Sequence, residues 1–205
     1  MEELPDIAVV DERIKHRLDE ILAERLEESL THLKEARTPS MAIIATGGTL
    51  DTGYLPFILS ATAAALGWNT SVFFTFYGLQ LLKRDISDLR VARLGNPAMP
   101  FTLPFGPQWF RDINWEIPNA IRAITPGFEA LLTSLMKRKF KDNGVANLTE
   151  LRDLCVDSGV HLVACQMTVD MLGFSRDDFI AEVTEYAGAA TFLPMAKDAD
   201  VALFM

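Results

Sequence analysis

Along the first 38 residues, Ile14, Leu18, Ile21, Leu22, Leu26, Leu30 and Leu33 recur at steps of three and four between Glu, Arg and Lys. That spacing keeps one side of a helix apolar, so it predicts an amphipathic helix with Asp11 as N-cap and Thr38-Pro39-Ser40 as its end. Such an arm packs on its own domain or on a neighbouring subunit, and it is read as structural. From Ser40 the pattern changes. The run MAIIAT, stopped by Gly47-Gly48, predicts a buried strand. Residues 52–66 predict an apolar helix closed by Gly67, TSVFFTF a second strand, and residues 78–82 a short helix.

Residues 83–114 break the periodicity. They include NPAMPFTLPFGPQWF, whose prolines and aromatics fit neither a regular helix nor a strand. A long aperiodic insertion of this kind is expected to form an interface or a lid over a cleft. Pro118 can open a helix, Pro126-Gly127 interrupts it, and residues 128–140 resume it. Asn147 with Glu150 forms a capping-box start, and Gly159 closes that helix. Residues 160–167 read as a strand. Ser175 with Asp178 predicts another helix, ended by Gly188, and residues 191–193 and 201–205 predict two closing strands. The alternation defines an α/β fold: a mostly parallel open sheet of about five strands with helices on both faces, preceded by the helical arm. The domains are thus 1–39, the arm, and 40–205, the α/β domain.

Right-handed crossovers bring the loops after the strands to one edge of such a sheet, where α/β proteins hold their chemistry. Gly47-Gly48-Thr49, Tyr77-Gly78 and the Cys165 loop should share that edge. Glycines between a strand and a helix can let backbone N–H groups approach an anion. Here no Gly-Lys-Ser/Thr follows, and the spacing is not that of the dinucleotide fingerprint. A tight strand-to-helix turn explains the same residues, and Asp51 would oppose a phosphate.

The formal net charge of -9 changes the picture of partners. Nucleic acid is not expected, since the one run of three consecutive cations, Lys137-Arg138-Lys139 with Lys141 nearby, ends a helix where the dipole favours cations. The chain has two cysteines and three histidines. No disulfide framework follows from that, nor a structural metal site, and no metal or other cofactor is expected. The start lacks the basic and apolar regions of a signal peptide, so a reducing cytoplasm is expected. The apolar stretch 55–82 is divided by Gly67-Trp68-Asn69-Thr70 and reads as a buried helix followed by a strand rather than a membrane hairpin.

The chemistry rests on the thiols. His161 and Cys165 share a strand, but four residues separate them by about 13 Å, too far for His161 to act as base. Cys155 follows Leu148 and Leu151 on one helix face and reads as a packing residue. The strand between the two cysteines spans on the order of 20 Å, which disfavours a disulfide. Cys165 ends an apolar run at the loop-bearing edge. A short helical turn after it, near Thr168, can lower the thiol pKa, while Asp170 works against that. Position alone leaves a reactive Cys165 and a buried, inert one both open.

The run Ala164-Cys165-Gln166-Met167-Thr168-Val169-Asp170-Met171-Leu172-Gly173 strongly resembles the signature of the DsrE/DsrF/DsrH-like proteins. Pro126-Gly127, Met136-Lys137-Arg138-Lys139 and the ending from Ala189-Ala190-Thr191-Phe192-Leu193 to Leu203-Phe204 are similar to the same family, so the likeness spans residues 40–205. The resemblance implies a compact α/β domain that forms homo-oligomers and works in sulfur relays. A cysteine there takes sulfane sulfur as a persulfide or thiosulfonate and passes it to TusA-like or rhodanese-like carriers. Cys165 is the residue that matches. Some members have a second functional cysteine, whose place Cys155 would take, and some associate with membranes.

The sequence-level expectation is therefore a sulfur-transfer protein with Cys165 as its reactive thiol. Gly47, Gly48, Thr49, Gln166 and Thr168 are the residues expected to hold an anionic donor. Whether it turns over substrate as an enzyme or only carries sulfur is left open. The alternatives are an oligomeric scaffold with an inert Cys165, or a peroxidase-type thiol protein.

Overall fold

The computed structural model describes residues 7–92, 107–111, 127–183 and 185–205. The chain divides into two compact units, Met1–Thr38 and Pro39–Met205. The first holds helix α1, Ile7–Ala36. Asp11 is therefore inside the helix, which begins at least one turn before the expected cap.

The second unit is built on a parallel five-stranded sheet. Its strands are β1 (Ser40–Ala45), β2 (Asn69–Phe74), β3 (His161–Cys165), β4 (Glu185–Ala187) and β5 (Val201–Phe204), in the order β4-β3-β2-β1-β5. All four pairings are parallel. The central strands read as near-continuous apolar runs because both of their faces are covered. Helices α2 (Leu50–Ala65), α3 (Gln108–Arg111), α4 (Phe128–Asp142), α5 (Leu148–Asp157), α6 (Gln166–Leu172) and α7 (Ala189–Asp198) complete the described elements, with 3-10 helices at Phe76–Leu82 and Arg176–Asp178.

The two faces are covered unequally. Ile43, Val72, Phe74 and Leu162 join Leu50, Phe57, Leu148, Leu151 and Cys155 in the large core that α2 and α5 close. The opposite face forms a small cluster of Ala42, Phe73, Val163, Cys165, Ala187 and Phe192. Phe192 is the one buried residue of α7, and its ring stacks on Phe73 at 4.8 Å between centroids. Phe192→Ala is expected to cost about 3–4 kcal/mol, measured as a lower urea midpoint.

Three expectations need correction. Residues 191–193 are not a strand but the first part of α7, which runs from Ala189 to Asp198. Gly188 stands at its N-cap position, Ala189 and Ala190 favour the helix, and Phe192 is its point of burial. The strand expected there lies earlier, as β4, within residues assigned to a helix. The Ser175–Asp178 box does form, with Ser175 N donating to Asp178 Oδ2 at 2.7 Å. It starts only one 3-10 turn, Arg176–Asp178, because Phe179 then leaves the helical path to enter the core at 1 % exposure.

The Asn147–Glu150 box caps α5 with two reciprocal bonds of 2.9 Å. Of the insertion, residues 83–92 are described. Ile86 enters the core, Ala92 N donates to Asp51 Oδ1 at 3.0 Å, and Val91 N to Thr133 Oγ1 at 3.1 Å. Residues 93–106, most of the stretch rich in proline and aromatics, and the helix start expected at Pro118 lie outside the described residues. Arg152, 3 % exposed, ties α5 to the end of the 3-10 helix by donating from Nη1 to the carbonyls of Leu81 and Lys83. Among the described residues no helix is long and apolar enough to cross a membrane.

Candidate functional site at the end of β3

The register that pairs Ala45 with Phe74 and Phe74 with Ala164 sets the C-terminal ends of β1, β2 and β3 side by side. Cys165 is one residue beyond that line, opposite Ala187 of β4 and level with Thr75, the residue that follows β2. The chain after β2 turns at once. Phe76 has φ 49, the left-handed region that costs a non-glycine residue about 1–2 kcal/mol. Its amide meets Thr168 Oγ1 at a long 3.4 Å, and Thr75 Oγ1 lies 3.1 Å from Thr168 Oγ1.

Cys165 occupies the N-cap position of α6, which begins immediately after it rather than near Thr168. Burial pushes its thiol up in pKa, but the neighbouring hydroxyls of Thr168 and Thr75 and the amides of Thr168 and Met167 favour the thiolate. Together they outweigh burial and hold the thiol below its ordinary value. Cys155 is the opposite case. Burial pushes its pKa up, and bonds from Ser60 and the Ala61 amide offset this only partly. Its sulfur, fully buried, lies 3.3 Å from Ser60 Oγ and donates to the Phe57 carbonyl at 3.3 Å. Both cysteines are free.

The other sequence-selected residues fall as follows. Gly47 and Gly48 do sit at the same edge, and their lack of a side chain serves close packing. A Cβ on Gly48 would collide with the Tyr77 carbonyl, and one on Gly78 with the Ala45 carbonyl. The loops after β1 and β2 are interlocked backbone to backbone. Thr49 caps α2, its amide meeting Thr52 Oγ1 at 3.2 Å, while the Leu50 amide is taken by the Arg90 carbonyl at 2.8 Å. Gln166 turns along its own helix to Asp170, 2.7 Å away. His161, at the other end of β3, pairs with Glu185 at 3.0 Å. Thr168, completely buried, is the selected residue that bears on the acidity of the Cys165 thiol.

Two features escaped the sequence reading. Thr75 was not singled out, although it ends TSVFFT at the shared edge and its lateral neighbour follows from the parallel order. The second is the burial of the thiol, which position alone left open: Cys165 is only 3 % exposed, because it points into the small cluster under α7. The exposed side chains beside it are Met167 at 61 % and Phe76 at 49 %. A groove lined by Tyr54, Ile86, Phe140 and Leu148 opens on the α2 and α5 side and includes neither cysteine.

A parallel five-stranded α/β domain with a low-pKa thiol held at a strand end is the class that fold and site define. The chain belongs to the DsrE/DsrF/DrsH-like family, whose model matches residues 37–204. It is 48% identical over 166 residues to the "Sulfur carrier protein DsrE2" of Allochromatium vinosum, covering 80% of this chain and 97% of that protein. It is 25% identical over 169 residues to the "Uncharacterized protein YrkE" of Bacillus subtilis, covering 82% and 98%. The crystal structure of the ychN protein from E. coli aligns with 82% of this chain and all of its own, at a TM-score of 0.45 and 11% identity.

Proposed function

We propose that this domain carries sulfane sulfur as a persulfide on Cys165. The thiolate attacks the outer sulfur of a donor persulfide; a new S–S bond forms, and the donor's inner sulfur leaves as a thiolate with the donor S–S electron pair. An acceptor thiolate then attacks the outer sulfur and releases Cys165 unchanged. The transferred atom keeps its oxidation state, so no external oxidant or reductant enters. A thiol on a small TusA-like or rhodanese-like protein is the proposed acceptor, in a cytoplasm reducing enough to keep thiols free.

The observation that carries this reading is the place of Cys165 at the end of β3 and the N-cap of α6, where neighbouring hydroxyls and amides hold its thiol below the ordinary value. Thiol exchange depends on thiolate fraction, leaving-group pKa and access rather than on a dedicated base, so the remote position of His161 is compatible with it. The relative named a sulfur carrier supports the same chemistry. The 3 % exposure of Cys165 favours the rival reading, an inert thiol in a binding scaffold.

Intact mass of the reduced protein after incubation with polysulfide separates the two. Wild type and Cys155→Ser are expected to gain whole sulfur atoms, and Cys165→Ser none. Three unmodified proteins, with Cys165 also resistant to alkylation, would sink the carrier reading.

A further inference from the structure

Helix α1 has 30 residues, about 45 Å of length. It lies outside the family match, which begins at residue 37. Along it Leu18, Ile21, Leu22 and Leu26 are 48–63 % exposed, a continuous apolar stripe rather than scattered single residues. Its charges are segregated. Residues 13–17 hold three Lys or Arg and no acid, whereas residues 19–28 hold five acids and one Arg.

We propose that α1 is a self-recognition element that pairs antiparallel with the α1 of a second copy of this chain, crossing at Leu22. With Leu22 opposite Leu22, Leu18 falls opposite Leu26, so the stripe is continuous across the pair. The same register sets Arg17 against Glu27 and Asp19 against Arg25. Glu20 against Glu24 is the like-charged pairing among these positions. A parallel pair would instead put the basic segment on its own copy and the acidic segment on its own copy, which is repulsive along the whole contact. An anionic lipid surface would attract residues 13–17 but repel residues 19–28, so the charge pattern fits a second copy better than a membrane. The ion pairs seen within one helix, Arg17 with Glu20 at 3.1 Å and Arg25 with Glu28 at 3.3 Å, are exposed and can exchange partners. This inference does not depend on the sulfur chemistry.

Cysteine pairing in the full chain tests it, in a Cys165→Ser background with the core Cys155 left in place. The variants are Leu18→Cys, Leu26→Cys and the double variant, each oxidised under native conditions. Within one helix, positions 18 and 26 are about 12 Å apart, beyond disulfide reach. The double variant is expected to form a covalent dimer roughly tenfold or more faster than either single variant, because only it places two thiols opposite each other. Single variants that cross-link as fast as the double one would mean parallel or random contact and overturn the proposal. No cross-link in any variant would overturn it too, placing the arm on its own domain or on a different partner.

Discussion

Gly78→Ala is expected to destabilise the domain by about 3 kcal/mol, seen as a lower urea midpoint at unchanged slope. The added Cβ would meet the Ala45 carbonyl, and the obstacle is backbone at the end of β1 rather than a flexible side chain. Neither side can give without disturbing the pairing of β1 with β2, where the Thr75 amide donates to the same Ala45 carbonyl at 3.0 Å. Gly188→Ala is the control. Its Cβ meets nothing within 4 Å and its φ is -86, so the loss should stay below about 1 kcal/mol, the ordinary difference at an N-cap. Similar losses in both variants would show that chain flexibility, and not the interlocked loops, sets the cost.

The second large effect is chemical. Thr168→Val keeps the buried volume but removes a hydroxyl that favours the Cys165 thiolate. A polar group that favours the charged form lowers a thiol's pKa, so its loss raises it. The wild-type sulfur has its pKa held down, so its iodoacetamide rate should rise with pH through a midpoint below that of an ordinary cysteine. In Thr168→Val that midpoint moves up, and the rate near pH 7 falls by roughly tenfold or more. Above the shifted midpoint both proteins are fully thiolate and their rates should converge. Thr168→Ser, which restores a hydroxyl, is expected to recover most of the difference. A loss that persists at high pH would mean blocked access rather than a changed acidity.

Much of the sheet was legible because buried parallel strands announce themselves. MAIIA, SVFF and HLVAC are apolar runs with clear stops, and each is a strand in the structure. Local caps were legible in part. The boxes at Asn147 and Ser175 both form, but only the first is followed by residues that bury a helical face, Leu148, Leu151 and Cys155. A cap starts a turn; tertiary burial decides whether the turn continues. The three residues of β4 are too few to show a period, and Thr191-Phe192-Leu193 has β-forming composition that a single buried contact, Phe192 on Phe73, overrides.

At the site, the strand-end placement of Cys165 could be read along the chain, since it depends on where one apolar run stops. The hydroxyl of Thr75 could not be read that way. It comes level with Cys165 sideways across the sheet, through the register of β2 on β3. The shielding of Cys165 depends on which face its side chain takes and on α7 lying over that face, neither of which is encoded next to the cysteine.

The two sulfurs lie on opposite faces of the sheet, Cys155 on the core side of α5 and Cys165 in the cluster under α7. A loaded persulfide has one characteristic route of decay, attack by a neighbouring thiol that releases sulfide and leaves a disulfide. The chain has no other cysteines, and the sheet itself stands between these two as an insulating layer. Under the proposed chemistry a charged domain therefore has no internal leak. How long it holds its sulfur is set by the thiols that reach it from outside, much as a capacitor without a shunt keeps its charge until an outside circuit closes.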